Sequence, residues 1–268
     1  MRLGITLPSF VRDVDEVLTV AVAAEEAGLD GVFVYDHLFR FAADGSRRPA
    51  LEFTALLGAV AAATSRIHVG PLVARATLRP PAITALTFST THRLAGTRFI
   101  GGLGTGDHQS RRENETFGLD FGSIDDRLAA LVDTVRETRD QGFPVWVGGT
   151  HAKVREIAAE ESDGWNRWSG DPVIFEEQAA SVAARAMRSP FVCSWGGLVA
   201  LDVDDDRAKE KAHRLGASSG TIVGGPARVA DGCAPYADAG AGWVIAGPVD
   251  SRNPANAVLL ADVRARLQ

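Results

Sequence analysis

Residues 28–38, which read Gly-Leu-Asp-Gly-Val-Phe-Val-Tyr-Asp-His-Leu, decide the fold class of this chain. Gly28 is typical of a helix end, and the apolar run at 32–34 is typical of a short buried strand. Asp36 and His37 follow where that strand stops. In an α/β barrel the active site forms at the carboxyl ends of the strands, so His37 would be placed for catalysis there. Its position fits a loop-capping histidine equally well.

Strand-like and helix-like segments alternate along the whole chain, which is typical of a parallel sheet covered by helices. The clearest amphipathic helices are predicted at 13–27 and 124–141. Eight strands are predicted, at 3–7, 31–35, 67–74, 98–103, 144–147, 163–168, 191–201 and 242–246. Eight such units predict a (β/α)8 TIM barrel, with residues 1–268 forming a single domain.

The unit after the seventh strand is less regular than the others. Its acidic run at 202–206 is predicted to start a helix, because carboxylates favour the positive end of the helix dipole, and a metal site is the weaker interpretation. Residues 218–221 are predicted to form a loop, and 226–239 another helix.

Composition favours a small-molecule enzyme. The formal net charge is −6 with acidic and basic residues mixed, which argues against a nucleic-acid surface or a polybasic membrane anchor. Cys193 and Cys233 lack zinc-ligand spacing, so neither a metal site nor a disulfide framework is expected, in keeping with the cytoplasm. Met1 leads directly into a strand, and the apolar run at 56–63 is short, so neither a secretion signal nor a membrane span is expected.

Gly148, Gly149 and Thr150 lie between a predicted strand and a helix that begins near Ala152. Two glycines allow the backbone to approach a ligand, and the free N–H groups at a helix start bind anions. The favoured interpretation is a phosphate-binding loop. An ordinary tight turn, which also uses glycine, is the alternative.

A second glycine cluster, at 101–107, closes the fourth predicted strand. It lacks the spacing of a dinucleotide-binding motif and is expected to open no clear helix. Gly104 and Thr105 would allow a flat molecule to lie against the end of the barrel. From the residues alone, Asp107 is more simply interpreted as a turn aspartate than as a catalytic carboxylate.

Several familiar chemistries are not supported. No His-x-His pair follows the first strand, where the chain has Pro8-Ser9-Phe10, and no Gly-x-Ser-x-Gly elbow occurs. A bound organic cofactor is therefore the expected carrier of any reaction, and no metal is expected. The histidines without ligand spacing are His68, His92, His108, His151 and His213.

The order of several segments resembles the bacterial-luciferase-like flavin and deazaflavin oxidoreductases. The segments that carry the resemblance are 3–9, 27–38, 78–82, 98–107, 145–150 and 163–168. The resemblance implies a (β/α)8 barrel, usually a homodimer, that holds a flavin or coenzyme F420 at the carboxyl ends of the strands.

The resemblance also implies roles for particular residues. An Asp-His pair after the second strand is typical of deazaflavin users, so His37 would be the acid/base at the cofactor, with Asp36 helping to hold it. Asp107 matches an acidic position that protonates the ring in some sugar-phosphate dehydrogenases of the family. Leu72 and Val73 match a bulge in the third strand that backs the ring, often through a non-proline cis peptide.

The remaining implied contacts are to the rest of the cofactor. Gly104 and Thr105 would contact it at the fourth strand. The resemblance assigns its phosphate to the loop of Gly148, Gly149 and Thr150. Its acidic tail would need cations nearby, for which Lys153 and Arg155 are candidates.

The departures from the family pattern limit the substrate assignment. Phe41 stands where sugar-phosphate dehydrogenases carry tryptophan, and Asp107 replaces their longer glutamate, so no sugar phosphate is inferred. The chain is also short after the seventh strand. The favoured function is an F420-dependent oxidoreductase that moves a hydride between the deazaflavin and an organic substrate. The alternatives are an FMNH2-dependent luciferase-like monooxygenase and a non-catalytic flavin-binding barrel.

Overall fold

The computed structural model describes residues 1–41 and 45–268, without the side chains of His108 and Gln109. Parallel strands alternate with helices along the chain. The strands are β1 Arg2–Thr6, β2 Gly31–Val34, β3 Phe39–Phe41, β4 Arg47–Pro49, β5 His68–Pro71, β6 Ala74–Arg75, β7 Gly101–Gly104, β8 Val145–Gly148, β9 Gly164–Trp168, β10 Val192–Leu201, β11 Ile222–Gly224 and β12 Trp243–Pro248.

The strands close into a barrel. β12 pairs with both β1 and β10, and β1 pairs with β2, so the last strand joins the first. The third barrel strand is in two pieces, because β5 pairs with β2 whereas β6 pairs with β7. The Ile100 backbone N–H donates to the Val69 carbonyl at 3.0 Å and links β5 to the chain entering β7. The predicted barrel is confirmed, and each of the eight predicted strands is present within a few residues.

Helices cover the outside of the barrel. They are α1 Val14–Glu26, α2 Phe53–Ala63, α3 Pro81–Ala95, α4 His108–Thr116, α5 Ile124–Thr138, α6 Ala152–Glu161, α7 Pro172–Ala183, α8 Asp205–Arg214, α9 Pro226–Asp238 and α10 Ala255–Arg266. The predicted helices at 13–27, 124–141 and 226–239 are confirmed. The helix predicted from the acidic run is also confirmed, since the Asp204 carboxylate accepts the Arg207 N–H at the start of α8.

One helix contradicts the sequence analysis. The glycine cluster after the fourth strand was expected to open no clear helix, but α4 begins directly after Asp107. The Asp107 carboxylate and the Ser110 hydroxyl each accept from the other residue's backbone N–H, which forms a capping box. This reciprocal cap starts a strongly polar helix that has no apolar periodicity to reveal it.

Aromatic side chains fill the half of the barrel interior that is nearer the amino ends of the strands. Phe33 and Trp243 contact each other edge to face, with ring centroids 5.8 Å apart. Gly4 and Gly31 make room for them, because a Cβ at either position would lie within 2.8 Å of one of these rings. The open end of the barrel is therefore the opposite one, at the carboxyl ends of the strands; we call this end the mouth.

The β3–β4 hairpin and β11 were not predicted. Each of these strands has three residues, and the hairpin pairs Arg40 with Arg48, so no alternation of apolar and polar residues marks it. In residues 1–41 and 45–268, no helix is long and apolar enough to cross a membrane.

Candidate active site

His37 lies at the mouth, just beyond the end of β2. Its Nδ1 donates a hydrogen bond to Oε1 of Glu113 at 2.7 Å, and its side chain is 29% exposed. The rings of Phe10 and Tyr35 flank it, with centroids at 5.6 and 6.3 Å. In the described part of the chain Nε2 has no hydrogen-bond partner, so this nitrogen is available to a ligand.

Glu113, on α4, is the side chain that fixes the His37 ring. Its second oxygen accepts the Leu38 backbone N–H at 2.7 Å and the Arg75 guanidinium at 3.2 Å. Burial raises the pKa of this carboxyl, but the hydrogen bond and charge of His37, the Leu38 N–H and the charge of Arg75 outweigh burial and lower the pKa below 4.5. Glu113 is therefore a carboxylate at neutral pH and accepts the proton of Nδ1.

Arg75, at the end of β6, connects Glu113 to Asp36. Its Nε donates to the Asp36 carbonyl at 2.8 Å, and its Nη1 donates to Asn114 Oδ1 at 3.2 Å. Its side chain is 3% exposed, so its charge is held inside the protein by these partners. Two residues of α4, Glu113 and Asn114, thus dock that helix onto the end of the third barrel strand.

Asp36 was expected to help hold His37, but its carboxylate contacts arginines instead. Oδ2 accepts the Arg75 backbone N–H at 2.8 Å, and the two carboxylate oxygens accept Nη1 and Nη2 of Arg79 at 2.7 and 3.1 Å. Asp36 therefore acts on His37 only indirectly, through Arg75 and Glu113.

Glu113, Arg75 and Arg79 were missed by sequence reasoning. Glu113 lies six residues beyond a helix cap, in a polar stretch that looks like a solvated helix. A usable signal was present at the third strand. Arg75 lies in buried β6 and Arg79 follows it, and buried guanidinium groups need carboxylate partners.

Asp107 lies at the mouth, and its side chain caps α4. Oδ1 accepts the Ser110 backbone N–H at 3.0 Å and the Ser110 hydroxyl at 3.1 Å, while the residue as a whole is exposed. The turn interpretation is thereby refined to a helix cap. A role for Asp107 toward a bound ring stays a prediction.

The predicted bulge lies between β5 and β6, and the Leu72–Val73 peptide bond is cis. Val73 packs onto glycines of the next two strands. A Cβ at Gly104 would come within 2.5 Å of Val73 Cγ2, and a Cβ at Gly148 within 2.8 Å of Val73 Cγ1. The fold thus brings together Leu72, Val73, Gly104 and Gly148, four of the residues predicted to contact a cofactor, and Thr105 follows directly after them.

The Gly148 to Thr150 loop joins β8 to α6. Gly149 has φ +145°, and its carbonyl accepts Trp165 Nε1 at 2.8 Å, which holds the turn in place. Within residues 1–41 and 45–268, no acceptor contacts the backbone N–H of Thr150 or His151. These N–H groups precede the first turn of α6, as an anion site requires.

The predicted cations near this loop have partners of their own. Lys153 forms an exposed ion pair with Asp125 at 3.1 Å, and Arg155 donates to the Thr150 carbonyl. Arg155 is close enough to Arg167 for its charge to add to burial in lowering the pKa of Arg167.

Two cavities lie away from His37. One, of about 320 Å³, is outside the barrel between α3 and α5 and includes Arg79 and Arg127. The other, of about 350 Å³, is at the amino ends of the strands, beside His68 and Trp243.

The chain is an α/β-barrel protein with a histidine after its second strand, a cis bulge in its third and a glycine loop after its fifth. The chain belongs to the luciferase-like monooxygenase family, whose pattern residues 1–142 match. The predicted membership is confirmed.

Curated relatives carry a more specific description. Over 207 residues, 66% of this chain, it is 27% identical to the F420-dependent glucose-6-phosphate dehydrogenase of Microbacterium testaceum. Over 135 residues, half of the chain, it is 36% identical to the enzyme of the same description from Nakamurella multipartita. The matched regions span 60% and 37% of those relatives.

Solved structures share the fold. An F420-dependent secondary alcohol dehydrogenase in complex with an F420-acetone adduct superposes with a TM-score of 0.82 over the whole of both chains, at 17% identity. This likeness establishes the barrel architecture from end to end.

Proposed function

We propose that this protein is a coenzyme F420-dependent oxidoreductase that moves a hydride between the deazaflavin and an organic substrate. The observation that carries the proposal is His37 at the mouth, which buried Glu113 fixes through Nδ1 and whose Nε2 has no partner among the described residues. The F420-dependent descriptions of the relatives and of the alcohol dehydrogenase support the choice of cofactor.

The residues at the mouth fit such a cofactor. Val73 fills the space beside the glycines at 104 and 148, and we propose that the bulge it forms is the support on which a flat ring lies. The N–H groups of Thr150 and His151, which have no acceptor in the part of the chain that the structure describes, suit its phosphate. When bound, a deazaflavin supplies the two-electron acceptor or donor that no side chain of the chain provides.

His37 would handle the proton that accompanies hydride transfer. For a substrate that is oxidised at a carbon bearing a hydroxyl, Nε2 accepts the hydroxyl proton as the hydride leaves that carbon. The reverse reaction returns the proton to the carbonyl oxygen. The Glu113 carboxylate stabilises the positive charge that the ring then carries, as the carboxylate does in other His–carboxylate pairs. Asp107, exposed at the same mouth, is a second proton donor under this proposal.

The proposal does not include a sugar-phosphate substrate. Although the curated relatives act on glucose 6-phosphate by description, the matched regions cover at most 60% of them. Phe41 replaces their tryptophan and here packs edge to face on Phe39, with centroids 5.1 Å apart. This departure from the family pattern is a further reason to infer no sugar phosphate.

A titration of the purified protein with F420 and FMN side by side, followed by an anaerobic turnover assay with reduced F420, tests the proposal. We expect F420 to bind more tightly. Tighter binding of reduced FMN with oxygen-dependent turnover would instead identify an FMNH2-dependent monooxygenase, the activity that the family description names. Flavin binding without any turnover would indicate a non-catalytic flavin-binding barrel.

We also propose that the protein is a homodimer that assembles through α3. Ile83, Leu86 and Leu94 on this helix are 48%, 62% and 54% exposed, an apolar stripe that a second copy would cover.

Cys193 and Cys233 are both buried free thiols, which supports the predicted cytoplasmic location.

A further inference from the structure

The cavity of about 350 Å³ at the amino ends of the strands lies at the end of the barrel opposite His37. Side chains that point toward the barrel axis line it. Arg2 comes two residues before Gly4 in β1, so its side chain points to the same, inner side of that strand. His68 pairs with Gly31 of β2 and points inward likewise. We call this space the amino-end cavity.

Two tryptophans form the inner wall of the amino-end cavity. The rings of Trp146 and Trp243 contact each other with centroids 5.7 Å apart, and the ring of His68 meets that of Trp243 edge to face at 5.4 Å. Ile100 and Val192 add apolar surface to the lining. A cavity of this size lined by ring faces and edges fits a planar molecule of one or two rings.

Both indole N–H groups of this wall are available to a ligand. Trp146 and Trp243 are each 2% exposed, and neither indole nitrogen has an acceptor in the described part of the chain. Neither is sealed inside the protein, because the sealed side-chain nitrogens without partners among the described residues belong to Arg127 and Trp195. Since both tryptophans line the cavity, a molecule with acceptor oxygens can satisfy these donors there.

Arg2 gives the amino-end cavity a positive charge. Its guanidinium carbon lies 5.4 Å from the centroid of Trp243, and it forms no ion pair with any residue that the structure describes. Stacking occupies the face of a guanidinium and leaves the N–H groups at its edge free for an anion. The carboxylate of Asp163, also in the lining, is instead bound by Arg188 Nε at 2.7 Å and by the Val145 N–H at 2.9 Å.

His68 adds an acceptor to the cavity rather than a second charge. Burial lowers the pKa of its ring below the usual 6.5, and the charges of Arg2 and Arg98 act in the same direction. The ring is therefore neutral at pH 7 and donates from Nδ1 to the Asp30 carbonyl at 3.0 Å. The Asp30 carboxylate is itself bound by Arg264. The charge that the described lining residues present to a ligand is thus that of Arg2, which matches a monoanion.

We propose that the amino-end cavity binds an aromatic carboxylate, with its ring against Trp146 and Trp243 and its carboxylate at Arg2. The tryptophan wall supplies the shape, the indole N–H groups supply donors, and the guanidinium supplies the opposite charge. The ring of Phe33, which packs on both tryptophans, lies between this cavity and the mouth. The inference therefore concerns a second site and does not depend on the proposed function.

Isothermal titration calorimetry of the purified protein with three probes of one carbon skeleton tests the inference. Naphthoate is aromatic and charged, naphthalenemethanol is aromatic and neutral, and decahydronaphthoate is charged and saturated. We expect naphthoate to bind about tenfold or more tightly than either of the other two. Equal binding of naphthoate and naphthalenemethanol overturns the assignment of an anion site, and equal binding of the two carboxylates overturns the assignment of an aromatic one.

Arg2→Met removes the charge and keeps an apolar side chain over Trp243. This variant should bind naphthoate about tenfold or more weakly than the parent and naphthalenemethanol as the parent does. Arg66→Met is the matched control, because Arg66 is also exposed at the amino ends of the strands but does not line the cavity. The control should bind both probes as the parent does.

Thr97→Trp tests the location of the site. Thr97 is exposed and lines the cavity, so a larger side chain there obstructs the cavity from its rim without disturbing the core. The variant should lose naphthoate affinity at an unchanged melting temperature, and it decides the inference if Arg2→Met unfolds at a lower temperature than the parent. Naphthoate binding by both variants as by the parent, or no binding of naphthoate by the parent, overturns the inference.

Discussion

His37 and Glu113 are 76 positions apart in the chain, and a 2.7 Å hydrogen bond joins them at the mouth of the barrel. The bond fixes the ring by one nitrogen and supplies a buried negative charge beside it. Because Glu113 also binds Leu38 N–H and Arg75, its carboxylate cannot turn away from the ring without breaking two further bonds. The position of α4 therefore decides the orientation of the proposed catalytic histidine.

Replacement of His37 by alanine should abolish most turnover. We expect His37→Ala to reduce kcat about a hundredfold or more, the usual loss for an acid/base group, with cofactor affinity and melting temperature close to those of the parent. Steady-state kinetics measure kcat, an F420 titration measures the affinity, and thermal unfolding measures the melting temperature. Unchanged turnover would show that the proton is handled elsewhere, with Asp107→Asn as the next variant to examine.

Glu113→Gln should weaken turnover by about tenfold or more, since the amide keeps the shape but not the charge of the carboxylate. Its KM should stay near that of the parent, because Glu113 acts through His37. A variant with the parent's kcat would show that Glu113 only docks α4.

The same variant should reveal a pH-dependent contribution to stability. The pKa of Glu113 is lowered from 4.5 in the folded state, so its stabilisation is complete above that pH and is lost as the pH falls through the folded value. The difference in unfolding free energy between parent and Glu113→Gln should therefore shrink from pH 7 toward pH 3. Urea unfolding at several pH values measures it, and a constant difference would contradict the expectation.

Asp36→Ala should destabilise the fold, while the ring of His37 stays held by Glu113. The Asp36 side chain is fully buried and carries two bonds to Arg79, so its removal leaves that largely buried guanidinium with only the longer contact to exposed Glu52, at a cost of about 3 to 5 kcal/mol. Glu52→Gln is the control. Glu52 contacts the same arginine at 3.4 Å but is 57% exposed, and its loss should cost about 1 kcal/mol or less. Equal losses in urea unfolding would exclude a special role for Asp36.

Gly149→Val should weaken cofactor binding strongly. Its Cβ would lie 3.0 Å from Val154 Cγ1, and a branched side chain would block ligand access to the backbone of the loop. Gly28→Val is the matched control, since Gly28 also has a positive φ, of +79°, but lies in open space outside the mouth. Both variants should lose some stability, whereas only Gly149→Val should lose F420 affinity in a titration. Equal affinities would place the phosphate at another loop.

Leu86→Glu should separate the proposed dimer. A charge at the most exposed position of the α3 stripe would be buried without a partner in an assembled dimer. Light scattering after size-exclusion chromatography should give the mass of one chain for the variant and of two for the parent. A parent that is already monomeric would rule out the assembly.

The barrel could be predicted from the sequence because its signals are local. Most of the barrel strands contain a short apolar run, such as residues 32–34, and are followed by a turn or a helix start that nearby residues encode. His37 and the glycines at 148 and 149 could be found for the same reason, since the carboxyl ends of all strands in such a barrel face one side. The family resemblance then added the bulge at Leu72 and Val73, which the structure contains.

Local pattern alone did not reveal which side chain holds His37. The nearest carboxylate in the chain, Asp36, is adjacent to the histidine, and successive side chains beyond a strand point in different directions. Asp36 therefore contacts Arg75 and Arg79, and the ring is held by Glu113, from a helix whose polar sequence gave no sign of burial. The sequence by itself determined the barrel and the strand end on which His37 stands. The carboxylate that orients it was decided only by tertiary packing, because it depends on a contact between segments distant in the chain.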